Sequence, residues 1–442
     1  MALIRSLTTG STSLRAHQQR LDVISNNIAN VNTVGYKSSQ SQFVDQLSQV
    51  MSLGSAPTSI AMGGIGGVDP EQIGLGVRLG AIRSDFSQGN IRTTNRALDV
   101  AINGDAFFAL SLNGSASYTR AGSFSLDKDG NLVDSVSGAF VQGYNNKLDA
   151  NGRILKDSTG TAILDKSLAS LRIDPNVKSS PKQSTQAMMA GNLSASLQSG
   201  ESVQSAIPVY DNLGISHVLE LKFTRTANAN EYSLTGTIDG KALTLPAAAG
   251  TVTFKTDGTI DTPLNFDISA ADMNTALGAG VTSFDTTKNL NIVLAEPNRI
   301  LNGITQFAGQ NSLNLVSQNG YAAGNLTGLT IDPTGKILGS FTNSQSEVLG
   351  QIAVARFTNP SGLLKQGDNL FSVSGNSGLP NIGTAAEIFS SVKMIGGALE
   401  DSNVDLTEQF TDLISTQRGF EAAARTITIS DQFLQEINQL KR

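Results

Sequence analysis

A multidomain α+β fold is predicted by three features of this 442-residue sequence. Each end carries an apolar seam at heptad spacing. Between the ends the pattern changes to strand-like alternation, and a turn unit recurs through that middle. The two terminal helices are expected to pair as a coiled-coil-like inner domain around mainly-β material.

Leu7, Leu14, Leu21 and Ile28 recur at sevens, and Leu3, Gly10, His17, Ile24 and Val31 fill the alternate places. This predicts a first helix of about 40 Å. Asn, Thr and Gly within Asn30–Gly35 supply its stop. His17 is expected as a partly buried interface residue on this seam. Residues 38–80 then read as irregular. Phe43, Val44, Leu47, Val50 and Met51 offer a short helix before Gly54, Pro57, Gly63, Gly64, Gly66, Gly67 and Pro70 interrupt the chain. No Gly-Lys-Ser/Thr follows this glycine-rich run, which argues against a phosphate loop.

From Val77 the period is that of strands. Asp99–Leu110 combines alternation with Asn103-Gly104-Asp105, a hairpin signal. A unit of apolar residue, Asp, two residues, Gly, one residue, apolar residue then recurs. It spans Leu126–Leu132 around Gly130, Leu148–Ile154 around Gly152 and Ile331–Ile337 around Gly335, with a looser copy at Phe254–Ile260 around Gly258. Glycine there supplies the positive φ of a tight reversal. Asp127, Asp129 and Asn131 have calcium-loop spacing, but the position due to close such a loop with a carboxylate is Gly138, so the unit reads as a hairpin. Residues 145–316 are rich in Ser, Thr, Ala and Gly, with scattered short strands such as His217–Phe223.

The last helix is expected over 405–441. Leu406, Leu413, Phe420, Ile427 and Leu434 recur at sevens, with Phe410, Gln417, Ala424, Asp431 and Asn438 between them. That is about 55 Å of helix, opened by Asp405 and Glu408 in capping-box spacing. The second set is mostly polar or small, so this helix needs partners.

Composition narrows the function. Net charge is −6 with 15% charged residues, so no basic face points to nucleic acid or an anionic membrane. No apolar run approaches the ~18 residues of a transmembrane helix, and the start lacks the continuous apolar core of a secretory signal. With no Cys and two His, disulfides, zinc sites and Ser/His or Cys/His triads lack their residues. No catalytic, cofactor or metal residue is assigned from the sequence.

Leu21-Asp-Val-Ile-Ser-Asn-Asn-Ile-Ala-Asn-Val-Asn-Thr-Val-Gly-Tyr-Lys37 resembles the N-terminal signature of the bacterial flagellar axial proteins of rod, hook and junction. Ser402–Phe410, Gln417-Arg-Gly-Phe420 and Thr426–Leu434 resemble their C-terminal signature. The shared motif residues are Asn26, Asn27, Asn30, Asn32, Thr33, Gly35, Tyr36, Asn403, Asp405, Gln417 and Arg418. Asn103–Phe108 and Tyr118–Phe124 are in the family's style. Ile207–His217, Val348–Phe357, Asn359–Leu363, Gly367–Phe371 and Gly397–Glu400 are similar to hook-type segments.

The resemblance implies a structural subunit of the flagellar hook, polymerising helically into a curved hollow tube that transmits torque from rod to filament. It implies nested domains: terminal helices (1–33 and 402–442), an extended linker (34–76), an inner β-domain (77–144 and 317–401) and an outer β-domain (145–316). Leu7, Leu14, Leu21, Ile28, Leu406, Leu413, Phe420, Ile427 and Leu434 are the expected subunit-interface residues. The implied partners are further copies of the chain, the distal rod, hook cap and hook–filament junction proteins, and the flagellar type III export apparatus. Nucleic acid and membrane insertion are not expected. The implied location is the hook, outside the cytoplasm, reached without a cleaved signal. Absence of Cys excludes the Cys–Lys crosslink of some spirochaete hook proteins. A distal-rod subunit shares both signatures but is much shorter and lacks an outer domain. A secreted β-rich adhesin or glycan-binding enzyme explains the middle but neither end. Ser48–Pro70 departs from the hook pattern and reads either as a loop or as a strap, with Ile60, Met62, Ile65 and Val68 contacting neighbouring subunits.

Overall fold

The computed structural model describes residues 2–57, 66–149, 154–157, 160–278, 283–297, 300–385 and 391–440. Its helices are α1 (Ala2–Ala29), α2 (Ala270–Leu277) and α3 (Leu406–Leu440). Among the described residues all else regular is β-structure or single-turn 3-10 helix, and the fold is α+β as the sequence predicts. The chain divides into two compact units. The first comprises Met1–Asp174, Leu329–Leu338 and Val348–Arg442, and the second Pro175–Gly328 and Gly339–Glu347.

In the first unit, strand Phe107–Leu112 is central. It pairs antiparallel with Ser115–Thr119, Phe140–Asn145 and Val354–Arg356. Phe107 lies edge-on to Phe86, Phe357 and Phe371, and Tyr118 edge-on to Phe357, the geometry that ring quadrupoles prefer. The hairpin expected across Asn103–Asp105 does not form. Val100–Asn103 pairs instead with Lys393–Gly396, from the far end of the chain. Gly104 serves close approach there, since a Cβ on it would stand 3.0 Å from the Ser391 carbonyl oxygen. The tight hairpin sits ten residues later, at Asn113-Gly114, whose φ values of 51° and 80° suit a type I′ turn.

Residues 145–174 remain with this first unit. Leu171, buried, donates its N–H to Val141 O and accepts from Leu132 N–H, which ties the segment back onto the sheet.

The described residues of 39–84 pair as strands, where an irregular segment with a short helix was expected. Ser39–Asp45 pairs antiparallel with Val77–Ser84, Ser48–Ser52 with Glu71–Gly74, and Ser55 bridges Val68. The result is one long two-stranded ribbon. Its glycines and prolines at Gly54, Pro57, Gly66, Gly67 and Pro70 gather near the outer end, where they do not interrupt the paired stems. Ile60, Met62 and Ile65 lie outside the described residues, and Val68 is exposed.

The second unit has long strands where short scattered ones were expected. Ser202–Tyr210, Ser216–Arg225 and Glu231–Ile238 form an antiparallel meander continued by Lys241–Leu243, Thr251–Phe254 and Ile260–Thr262. A second sheet joins Gln186–Asn192 to Leu290–Val293, Ile304–Thr305 and Asn314–Gln318. Strict alternation along Ser202–Tyr210 sends Ile207 and Val209 into one core with Leu219, Leu221, Phe223 and Tyr232. α2 is capped by Ser269, whose Oγ accepts from Ala271 N–H.

Candidate functional site

α1 and α3 run antiparallel along each other. Ser6 Oγ meets Ser430 Oγ at 3.0 Å, Arg20 Nη2 meets Asp412 Oδ1 at 3.1 Å, and Asn27 Nδ2 donates to Gln409 Oε1 at 2.9 Å. Glycines allow this approach. A Cβ on Gly10 would stand 2.8 Å from Ile427 Cγ1, and one on Gly419 2.6 Å from His17 Cε1. On α1 the expected seam lies toward the packed side: Gly10 and Ile24 are buried together with Ala16 and Asn27, Leu7, Leu14, Leu21 and Ile28 are half-buried, and the Leu3 side chain lies outside the described residues.

On α3 half of it moves. The residues buried against α1 are Gln409, Thr416, Ala423 and Ser430, with Leu413, Ile427 and Leu434 half-buried beside them. Gln409 replaces Phe410 because its amide finds a buried partner in Asn27, whereas Phe410 turns outward. Phe410 is 50% exposed, Ile414 57% and Phe433 52%, and Leu406, Phe420, Ile429 and Ile437 are exposed as well. Apolar residues of this size, most of them four residues apart on a solvent-facing side, form a face left open by the described residues. The ribbon packs on the pair near its base. The Phe43 ring is edge-on to His17 at 5.6 Å and under the Arg20 guanidinium at 5.8 Å. Burial and the nearby Arg20 charge hold the His17 imidazole below its ordinary value.

Where the helices meet the sheet, the motif residues converge. Asn27 is the hub. Its Oδ1 accepts from Tyr36 OH (3.2 Å) and Ser39 N–H (2.9 Å), and its Nδ2 donates to Ser39 O (2.8 Å) as well as to Gln409. Asn30 Nδ2 donates to Asn26 O and Oδ1 while its own Oδ1 accepts from Thr33 Oγ1, which closes the helix end. Gly35 has φ +68° and donates to Glu400 O at 2.8 Å, and a Cβ there would stand 2.6 Å from Ala121 N. Only glycine satisfies both conditions. Asn403 Oδ1 accepts from Ser38 N–H and its Nδ2 donates to Asp85 O, both within 2.9 Å. Asp405 Oδ1 caps α3 through Thr407 N–H and Glu408 N–H. Asn32, Gln417 and Arg418 stand apart in solvent, Arg418 paired with Glu421 at 3.2 Å.

Beneath this network three charges are buried together. Lys37 Nζ reaches Glu400 Oε1 and Ser87 O, each at 2.6 Å, and Arg120 Nη1 lies 3.3 Å from Glu400 Oε2. Gly89 N–H also donates to Glu400 Oε1, and Arg120 lies over the Phe107 ring. Burial pulls the Lys37 ammonium below its ordinary value against the opposing pull of Glu400, and lowers the Arg120 guanidinium likewise. Lys365 lies over the Tyr36 ring at 4.9 Å and donates to Lys37 O. Sequence reasoning assigned no role to Arg120, Glu400, Lys365 or Gln409. The signal for two of them was a charged residue inside the buried segments Tyr118–Phe124 and Gly397–Glu400. Ions, amides and caps thus tie the C-terminal end of α1 and the N-terminal end of α3 to each other and to strands Ser39–Asp45 and Ala398–Glu400.

Four family models match successive parts of the chain: "Flagella basal body rod protein" over residues 7–37, "Flagellar hook protein FlgE/F/G D1 domain" over 101–180, "Flagellar basal body protein FlaE D2 domain" over 176–321, and "Flagellar basal body rod FlgEFG protein C-terminal" over 395–440. Among similar curated proteins, the flagellar hook protein FlgE of Treponema pallidum is 35% identical, with all of both chains covered. That of Borreliella burgdorferi is 34% identical and that of Salmonella typhimurium 32%, each with 99% of this chain and 100% of the relative covered. With most of the motif residues drawn into one junction and full-length identity of this order, the chain belongs to the flagellar hook protein FlgE family.

Proposed function

We propose that the chain is a structural subunit of the flagellar hook that polymerises with further copies of itself through the outward face of α3. The carrying observation is that face: Leu406, Phe410, Ile414, Ile429, Phe433 and Ile437 are exposed on a helix whose other side is already packed on α1. In a polymer they pack against helices of neighbouring copies, together with the edges of the seam at Leu7, Leu14, Leu21, Ile28, Leu413, Phe420, Ile427 and Leu434. The hollow curved tube, its passage of torque from rod to filament, and contacts with rod, cap and junction proteins follow from this reading. Export without a cleaved signal belongs to it too, as does the absence of any catalytic role. Leu47, Val50, Met51 and Leu53 leave the ribbon with an exposed apolar edge, which suits a strap across a neighbouring copy. The rod alternative is disfavoured by the full-length match to hook relatives and by the region over 176–321.

Phe410→Asp and Phe433→Asp test the proposal. Each is expected to leave the monomer's unfolding midpoint unchanged and to abolish polymerisation of the purified protein and hooks on cells, as seen by electron microscopy. Hooks of normal number and shape from both variants would overturn it.

A further inference from the structure

Within the second unit, Asp211, His217 and Asp239 form a chain of contacting polar side chains that the hook reading does not use. His217 is buried at the start of strand Ser216–Arg225, and its Nδ1 lies 2.7 Å from Asp239 Oδ2. Its Nε2 lies 3.6 Å from Asp211 Oδ2, and those two buried atoms have no hydrogen-bond partner. Asp211 is fully buried, its Oδ1 already occupied by Leu213 N–H (2.9 Å) and Ile215 N–H (2.7 Å). Asp239 Oδ1 accepts from Val218 N–H. The other groups placed at the site are the Phe284 ring, tilted against the imidazole, and Lys241 near Asp239.

A neutral imidazole carries one N–H, so either tautomer turns a lone pair onto a carboxylate oxygen. Only the doubly protonated ring donates to both sides, and a buried unpaired carboxylate oxygen is costly. We propose that His217 is an imidazolium clamp between Asp211 and Asp239, holding the reversal Asp211–Ile215 to the hairpin Ile238–Lys241. Release of one ring proton opens the Asp211 side. The reversal presents Leu213 and Ile215, 69% and 54% exposed, so the clamp governs how rigidly an apolar surface is displayed.

The test uses the full chain, in which His17 is the one other histidine and serves as an internal reference. Nitrogen-15 spectra at about pH 6.5, near the ordinary histidine value, are expected to show His217 protonated at both Nδ1 and Nε2. In Asp211→Asn the Nε2 proton is expected to be lost. In His217→Gln at that same pH, the Leu213 and Ile215 amides are expected to exchange about tenfold faster, reporting the lost charge-assisted bond. A His217 ring with a single proton overturns the clamp, whatever the variants do. A doubly protonated ring unchanged in Asp211→Asn also overturns it.

Discussion

Glu400 shares one carboxylate between Lys37 and Arg120, so removing it and removing Lys37 have different consequences. Glu400→Gln leaves two buried cations without a counter-charge, and breaking a buried pair in this way costs about 3–5 kcal/mol. Lys37→Met leaves the Arg120–Glu400 pair and the Gly89 N–H bond intact, and replaces a desolvated ammonium by an apolar chain. Urea denaturation is expected to show a large loss for Glu400→Gln and a small one for Lys37→Met. Equal losses would refute the shared-carboxylate account. His17 gives a pH prediction of definite sign. Its folded value is depressed by burial and by Arg20, so as pH falls through the ordinary histidine range the unfolded chain takes up a proton that the folded one resists. The α1–α3 pair should therefore weaken on acidification, read as faster amide exchange along α1, and His17→Gln should remove that dependence. A pairing that strengthens in acid would contradict it.

Glycine is a poor helix former, and in an isolated helix Gly→Ala gains about 1 kcal/mol. Gly419 should invert that expectation, because an added Cβ meets the His17 ring and through it Phe43. Gly419→Val is expected to raise amide exchange at Ser13–Arg20 of α1, and unchanged protection there would show that the helices do not need the contact. The elements were legible in the sequence wherever one periodicity ruled. Both long helices were readable, and so were the Asp–Gly reversals at Gly130 and Gly335, across which Asp127 and Asp332 accept backbone N–H bonds as the spacing implies, while the copy around Gly152 lies outside the described residues. Asp157 with Gly160 and Asp211 with Gly214 repeat that geometry but lack the flanking pattern that would have marked them. The inner half of the α3 seam was illegible for a physical reason. Ranking by apolarity selects Phe410, but the contact is won by Gln409, whose hydrogen bond to Asn27 exists only once residues far apart in sequence have met. The ribbon was obscured because glycines that interrupt a helix are harmless at the end of a hairpin.

The whole molecule was legible at its two ends and blurred between them. The second unit begins at Pro175, about thirty residues beyond the position read from composition, because Leu171 and Ile173 bury their side chains with the first unit's strands. Since the first unit's sheet pairs strands drawn from both sides of the insertion, deleting residues 175–328 is expected to leave it folded, with the edge-on contacts of Phe107, Phe357 and Phe371 preserved. A cooperative thermal transition and dispersed methyl signals in the truncated chain would bear this out, and a chain without either would refute it. The antiparallel pairing of α1 with α3 has a consequence in time. A polypeptide is made from its amino end, so α1 exists before every strand that follows it, while its partner α3 is made only after them. A product cut short after its last strand, Ala398–Glu400, therefore keeps Glu400 beside Lys37 but leaves Ile24 and Asn27 uncovered. Pairing of α1 is thus deferred until α3 has been made, and a copy that stops before α3 is the one that cannot close.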